Sequence, residues 1–180
     1  MVLFVVGTTA IMTSMASSSA SDFSTQPRLP DDQRQTAQQA ADEFKAGHFD
    51  AAAGLYQSII KAYPDSLYAW SNLGVTRFQQ GKLDDAREAF KHALTLNPKD
   101  ELVLVDLGIV YYQLNSFPDA IQFLKAAIAL NSNDASTHNF LGSTYQKAGM
   151  TQEAKLEFQK ASDLQAKEKA GGIMPLPNQD

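Results

Sequence analysis

The chain has 180 residues, a formal net charge of -5 at pH 7, a sequence pI near 5.1 and no cysteine. An acidic chain without a run of Lys or Arg lacks the clustered positive charge of a nucleic-acid-binding surface, so we expect no nucleic-acid partner. The absence of cysteine excludes disulfide bonds, thiol nucleophiles and lipid attachment at a lipobox cysteine. The length is that of a single domain.

Residues 1–20 form an apolar N-terminal segment that contains no charged side chain. Residues 2–12 are mostly apolar and a Ser-rich stretch follows, which predicts a secretory signal peptide with Ala16 or Ala20 at the cleavage position. The basic residues that usually begin a signal peptide are missing, because the first basic side chain is Arg28. Two alternatives therefore stay open: a membrane anchor, which early threonines and serines would weaken, and a disordered or truncated N-terminus.

Residues 21–32 are predicted to be a linker, because they contain two prolines and no apolar period. Residues 169–180 are predicted to be a flexible C-terminal tail, too short and too rich in glycine and proline to add a helix. Three ways of closing the C-terminal end stay open. The polar outer face of the last helix suffices, or apolar tail residues fold back, or two molecules pair end to end.

Residues 67–100 carry the pattern on which the rest of the chain is built. Apolar side chains at helical spacing predict one amphipathic helix, helix A, over about residues 68–80. Gly81 suits a chain reversal in the left-handed conformation. A second amphipathic helix, helix B, is predicted over about residues 84–96, and Pro98 ends it.

The same pattern returns about every 34 residues, which is the period of a known helix-turn-helix repeat. Trp70-x-x-Leu73-Gly74 aligns with Leu104-x-x-Leu107-Gly108 and with His138-x-x-Leu141-Gly142. These residues, followed by Gly81, Ala86, Phe90, Ala93 and Pro98, resemble the tetratricopeptide repeat. The resemblance implies an all-α, right-handed α-solenoid of four tandem repeats over residues 33–168, with bounds 33–66, 67–100, 101–134 and 135–168.

Small residues are expected where the two helices of a repeat cross, as at Gly74 and Ala86, because a larger side chain would overpack the contact. Asn115 stands at the turn position of the third repeat, and asparagine is the usual substitute for glycine there. Ser116 and Asp119 predict a capping box for the helix that follows. The first helix A is polar where the others are apolar, which predicts an N-terminal cap.

No pattern of catalytic or metal-binding residues occurs in the sequence. The three histidines, His48, His92 and His138, lie in different repeats without metal-ligand spacing. Nucleophile-elbow, P-loop and dinucleotide motifs are also missing. We therefore predict a protein without catalytic residues, metal or cofactor, and not an enzyme.

In the family that the chain resembles, the A helices line a concave groove, and positions 2, 5, 9, 12 and 13 of each repeat face it. In the two central repeats these positions are mostly apolar, and Lys45, Asn139 and Lys147 flank them. The predicted contacts to a partner peptide or helix, which define the groove here, are Tyr68, Val75, Phe78, Leu102, Val105, Ile109 and Tyr112. In an alternative that stays open, Val75, Val105 and Ile109 pack against neighbouring A helices instead.

The leading functional prediction is a protein–protein interaction scaffold, exported to the periplasm or cell envelope and part of an envelope or assembly complex. The N-terminal segment is then the one part that could contact a membrane. A cytoplasmic location is the alternative. Two other functions stay open: a helical, substrate-presenting part of an enzyme system, as a fragment or subunit, and a self-associating structural spacer.

Overall fold

The computed structural model describes residues 31–171, which form eight α-helices. The predicted signal peptide, nearly all of the predicted linker and the tail beyond residue 171 lie outside the described residues. In chain order the helices are α1 (Asp31–Lys45), α2 (Phe49–Ala62), α3 (Leu67–Gln79), α4 (Leu83–Leu96), α5 (Glu101–Gln113), α6 (Phe117–Leu130), α7 (Ala135–Lys147) and α8 (Thr151–Gly171).

The eight helices form four antiparallel pairs that stack along one axis, which confirms the predicted all-α solenoid of four repeats. Each odd-numbered helix is the A helix of a repeat and packs against the B helix that follows it, and each B helix packs against the next A helix. Helix α1 begins two residues before the predicted first repeat, and α8 continues past residue 168, the predicted end of the fourth. Such small shifts at helix ends are common.

The turn from helix A to helix B has the same backbone geometry in every repeat. Gly47, Gly81, Asn115 and Gly149 all have positive φ, between 59° and 81°. After the second A helix, the Lys82 N–H donates to the Arg77 carbonyl at 2.9 Å, which is the long-range bond of a Schellman motif. The predicted left-handed conformation of Gly81 and Asn115 is confirmed.

The A helices of the last three repeats begin at an N-cap side chain in the same register position. Ser66, Asp100 and Asp134 each accept a backbone N–H from the first turn. The predicted capping box at Ser116 does not form, because its hydroxyl donates to the Asp119 carboxylate at 2.5 Å instead of accepting a backbone N–H. The side chains of the two residues satisfy one another, and the helix starts without a side-chain cap.

Each later repeat is closed by a glycine of helix A lying against a large side chain of helix B. A Cβ atom added at Gly74 would lie 2.7 Å from the Phe90 ring, and one at Gly108 would lie 2.8 Å from Leu124 Cγ. Phe90 and Leu124 are themselves buried. The helices therefore cross at a distance that only glycine permits, as the sequence predicts for Gly74.

The first A helix has a polar outer face, which confirms the predicted N-terminal cap. Its Gln35, Gln39 and Asp42 are exposed. The residues at the same register positions of the three later repeats are buried: Ala69, Val103, Thr137, Leu73, Leu107, Leu141, Thr76, Val110 and Thr144. Within residues 31–171 no repeat packs on this face of α1, so these side chains are exposed, and polar residues suit an exposed terminal face of a repeat stack.

None of the helices between residues 31 and 171 combines the length and the apolar character that crossing a bilayer requires.

Candidate functional site

The A helices form one side of the stack. The A helices of neighbouring repeats contact each other directly: α3 contacts α5, and α5 contacts α7. A stack curves towards the side on which its helices approach most closely, so the A helices lie on the inner side. Positions 2, 5, 9, 12 and 13 of a helix fall within about 100° around its axis, since each residue turns by about 100°. These positions of the A helices therefore lie on the same side of the stack.

Leu102 and Tyr112 are the two predicted groove residues that lie outside the clusters of packed core side chains. Leu102 is 37% exposed at the start of α5. Tyr112 is partly buried near the end of the same helix, where its ring meets the edge of the Phe117 ring at 5.9 Å. Both side chains keep apolar surface that no other residue between 31 and 171 covers.

Tyr68, Phe78 and Val105 are partly buried and pack against the core with one side. The Tyr68 ring meets the edge of the fully buried Tyr56 ring at 6.1 Å. Burial, and then the adjacent Tyr68, raises the pKa of Tyr56 above its ordinary value, and burial likewise raises the pKa of Tyr68. Both phenols are therefore neutral at physiological pH, and this part of the groove carries no negative charge from them.

Val75 and Ile109 do not reach the groove surface, which corrects the prediction for these two residues. Val75 is 3% exposed and Ile109 is 1% exposed, and both belong to the main core. Their side chains are used in packing between helices, so neither can contact a partner. Val105, the third residue of that alternative, packs partly against the core and stays partly exposed.

A polar row borders the apolar groove residues. Position 13 of the four A helices is occupied by Lys45, Gln79, Gln113 and Lys147. No hydrogen bond or ion pair joins any of these side chains to another group within residues 31–171. Gln79 Nε2 is shielded from solvent and still has no hydrogen-bond partner among the described residues. These four residues are called the polar row below.

A buried charged cluster in the last repeat lies away from the groove. His138 Nδ1 is 2.6 Å from Glu157 Oε2, and His138 Nε2 is 3.2 Å from the Ser132 carbonyl oxygen. Lys160 donates to the other Glu157 oxygen at 2.9 Å. In the second repeat, the Trp70 indole N–H donates a hydrogen bond to the Pro64 carbonyl at 2.7 Å. Pro64 has the same register position as Ser132, so this bond corresponds to the contact between His138 Nε2 and the Ser132 carbonyl. His138 therefore keeps the tryptophan's hydrogen bond and adds a link between α7 and α8.

The Glu157 carboxylate is held in its charged form. Burial acts to raise the pKa of Glu157, but the hydrogen bonds from Lys160 and His138 outweigh burial, so the pKa lies below its ordinary value of 4.5. An ionised carboxylate beside Nδ1 and a carbonyl beside Nε2 are both acceptors. Each ring nitrogen of His138 thus lies against an oxygen atom, which fixes the orientation of the ring. This cluster was not predicted from the sequence.

Replacing Glu157 with Gln is expected to lower the free energy of unfolding by about 1.5–3 kcal/mol at neutral pH, the usual worth of a hydrogen bond to a charged group. A carboxylate whose folded pKa is depressed stabilises the fold above its ordinary pKa and loses that effect as pH falls through the folded value. The difference in the free energy of unfolding between the wild type and the variant should therefore be largest well above pH 4.5 and disappear in stronger acid. Urea unfolding across this pH range measures it, and Glu168→Gln, at an exposed glutamate of α8, is the control. A difference that does not change with pH would contradict this account.

Within residues 31–171, no group of three or more His, Asp or Glu side chains is arranged to hold a metal ion.

Comparison with known proteins supports the repeat register. Tetratricopeptide-repeat family models match residues 38–101, 77–142 and 135–168. No curated protein matches the sequence.

Solved structures share the fold at low identity. A crystal structure of MamA is 18% identical, with a TM-score of 0.74, over 94% of this chain and 99% of that one. MamA from Desulfovibrio magneticus RS-1 is 17% identical, with a TM-score of 0.72, over 75% of this chain and 76% of that one. A thermophilic TPR protein of Thermus thermophilus is 22% identical, with a TM-score of 0.63, over 73% of this chain and 74% of that one.

Stacked helical repeats of this kind present extended surfaces to protein partners and act as interaction scaffolds, typically without catalysis. Together the family models span residues 38–168, and their register agrees with the four helix pairs of the structure. The chain is a member of the tetratricopeptide repeat family.

Proposed function

We propose that this protein is a non-enzymatic adaptor that holds an apolar segment of a partner protein in its groove. One observation carries the proposal: Leu102 and Tyr112 present apolar surface on the same A helix, outside the core clusters. Apolar surface of this kind marks interaction sites on soluble proteins. A buried aromatic side chain is also among the commonest hot spots of an interface.

The partner segment enters as an extended peptide or as an amphipathic helix, because both forms place apolar side chains at intervals along one line. The groove residues that receive it are Tyr68, Phe78, Leu102, Val105 and Tyr112. All five stand on α3 and α5, whose turns are closed by hydrogen bonds and whose crossings are fixed by glycine. A rigid site loses little conformational entropy when a partner binds, which favours affinity.

We also propose that the protein works outside the cytoplasm, in a bacterial cell-envelope or assembly complex. The apolar, uncharged residues 1–20 support this location, since they have the composition of a secretory signal.

A photo-crosslink in living cells tests the groove function. A photoreactive amino acid is placed at residue 112 in the groove and, as the control, at residue 88, an exposed position of α4 on a B helix. We expect a discrete protein adduct from position 112 and none of that mass from position 88. Mass spectrometry of the adduct names the partner, and the partner's own location identifies the compartment. No adduct from position 112, or the same adducts from both positions, would overturn the groove function.

A further inference from the structure

We infer that the groove selects a partner segment with an apolar centre and an acidic residue on each side of it. This inference rests on the groove function proposed above and adds the chemistry of the partner. It is carried by the polar row, Lys45, Gln79, Gln113 and Lys147, whose side chains have no partner within residues 31–171.

The polar row runs directly beside the apolar groove residues. Gln79 follows Phe78 in α3, and Gln113 follows Tyr112 in α5. A segment whose apolar side chains enter the groove therefore brings its backbone next to the two amide groups. Gln113 is exposed, so its amide can donate a hydrogen bond to a backbone carbonyl of the segment.

The charges of the row decide which residues the segment carries at its ends. The whole chain is acidic, with 20 Asp and Glu against 15 Lys and Arg. At the five groove-facing positions of the four A helices this balance is reversed: they hold three basic residues, Arg34, Lys45 and Lys147, and no carboxylate. Lys45 and Lys147 are exposed, so their ammonium groups can meet carboxylates of a partner.

The spacing of the two lysines sets the length of the segment. Contacting helices lie about 8–10 Å apart. The contacts α3–α5 and α5–α7 are two such steps, and equal spacing of the four repeats adds a third, so the two lysines lie roughly 25–30 Å apart. An extended chain spans that distance in roughly eight or nine residues. The acidic residues of an extended partner should therefore lie about that far apart, with apolar side chains between them.

Selection of a random twelve-residue peptide library on the full-length protein tests the inference. We expect the enriched peptides to carry Asp or Glu on both sides of an apolar centre. The double variant Lys45→Glu, Lys147→Glu should bind such a peptide about tenfold more weakly, which is the combined effect of two exposed ion pairs. Added salt should weaken wild-type binding and strengthen the binding of the variant, because in the variant it screens repulsion between like charges. Fluorescence anisotropy of a labelled enriched peptide measures both effects.

A matched control is the double variant Lys61→Glu, Lys125→Glu, which changes the net charge equally at exposed positions of the B helices α2 and α6. It should bind the acidic peptide nearly as well as the wild type. A loss equal to that of the groove variant would attribute the effect to net charge and overturn the inference.

The remaining outcomes separate the two proposals. Enriched apolar peptides that need Tyr112 and lack acidic ends would overturn this inference and leave the groove function standing. The absence of any peptide whose binding depends on Tyr112 would overturn both. If the wild-type protein sediments as an oligomer that Tyr112→Glu dissociates, the groove binds a second copy of the chain, and the acidic segment is the wrong occupant.

Discussion

The substitution Gly108→Leu is expected to lower the free energy of unfolding by about 2 kcal/mol. The new Cβ atom alone would lie 2.8 Å from Leu124 Cγ, and the rest of the side chain would have to enter the same crossing. Overpacking of this kind costs about 1–3 kcal/mol, and the upper end applies because Leu124 is fully buried and cannot move aside. Leucine is a better helix former than glycine by roughly 0.7 kcal/mol, which offsets only part of the loss.

Urea unfolding of the full-length protein, followed by circular dichroism, measures the change. The matched control is Gly54→Leu, at an exposed glycine of α2 where an added Cβ meets nothing within 4 Å. The control keeps the gain in helix propensity without the clash, so it should be neutral or stabilising by less than about 1 kcal/mol. An unchanged stability of Gly108→Leu, or equal losses at both sites, would show that the assigned repeat register is wrong.

The sequence predicts the fold because each turn and crossing is specified locally. Gly81 and Asn115 stand where the backbone needs positive φ, and both adopt it. Gly74 stands where the helices of a repeat cross, and the Phe90 ring fills the space beside it. Local turn chemistry and the repeat period thus point to one structure, which is the condition for a reliable prediction.

Which side chains of the groove face are exposed was harder to predict than the fold. Helical periodicity places Val75 and Ile109 on the face that bears Tyr112, yet both are buried while Tyr112 keeps exposed surface. Periodicity gives the direction of a side chain around one helix. Burial also depends on how closely neighbouring A helices approach, which is set by contacts between repeats that no single repeat specifies.

The repeat register contains a sign of the buried cluster of His138, Glu157 and Lys160. Glu157 occupies the position held by Leu55, Ala89 and Phe123 in the other repeats. A charged residue at an otherwise apolar position is expected to have a buried partner, since an unpaired buried charge is very costly. His138, which replaces Trp70 in the same register, is that partner. The residues at equivalent positions of the repeats therefore contain enough information to predict the contact between His138 and Glu157 from the sequence.

The substitution Tyr112→Glu is expected to weaken peptide binding by at least about 30-fold, the loss typical of an interface hot spot. The change removes an aromatic anchor and places a carboxylate where the apolar centre of the segment enters. Stability should fall by only about 0.5–1.5 kcal/mol, because the edge contact with the Phe117 ring is lost while the core clusters stay intact. Tyr112→Phe keeps the ring and should retain most of the binding.

The control for the added charge is Leu156→Glu, which introduces the same carboxylate at a leucine that is 63% exposed on α8, a B helix outside the groove. Anisotropy titration of a peptide selected on the wild-type protein, together with urea unfolding of each variant, separates loss of binding from loss of fold. If Leu156→Glu weakens binding as much as Tyr112→Glu does, the effect comes from net charge and Tyr112 is not an anchor. If Tyr112→Glu binds as tightly as the wild type and stays folded, the segment docks elsewhere on the solenoid, and the exposed surface of Leu102 and Tyr112 has no part in holding it.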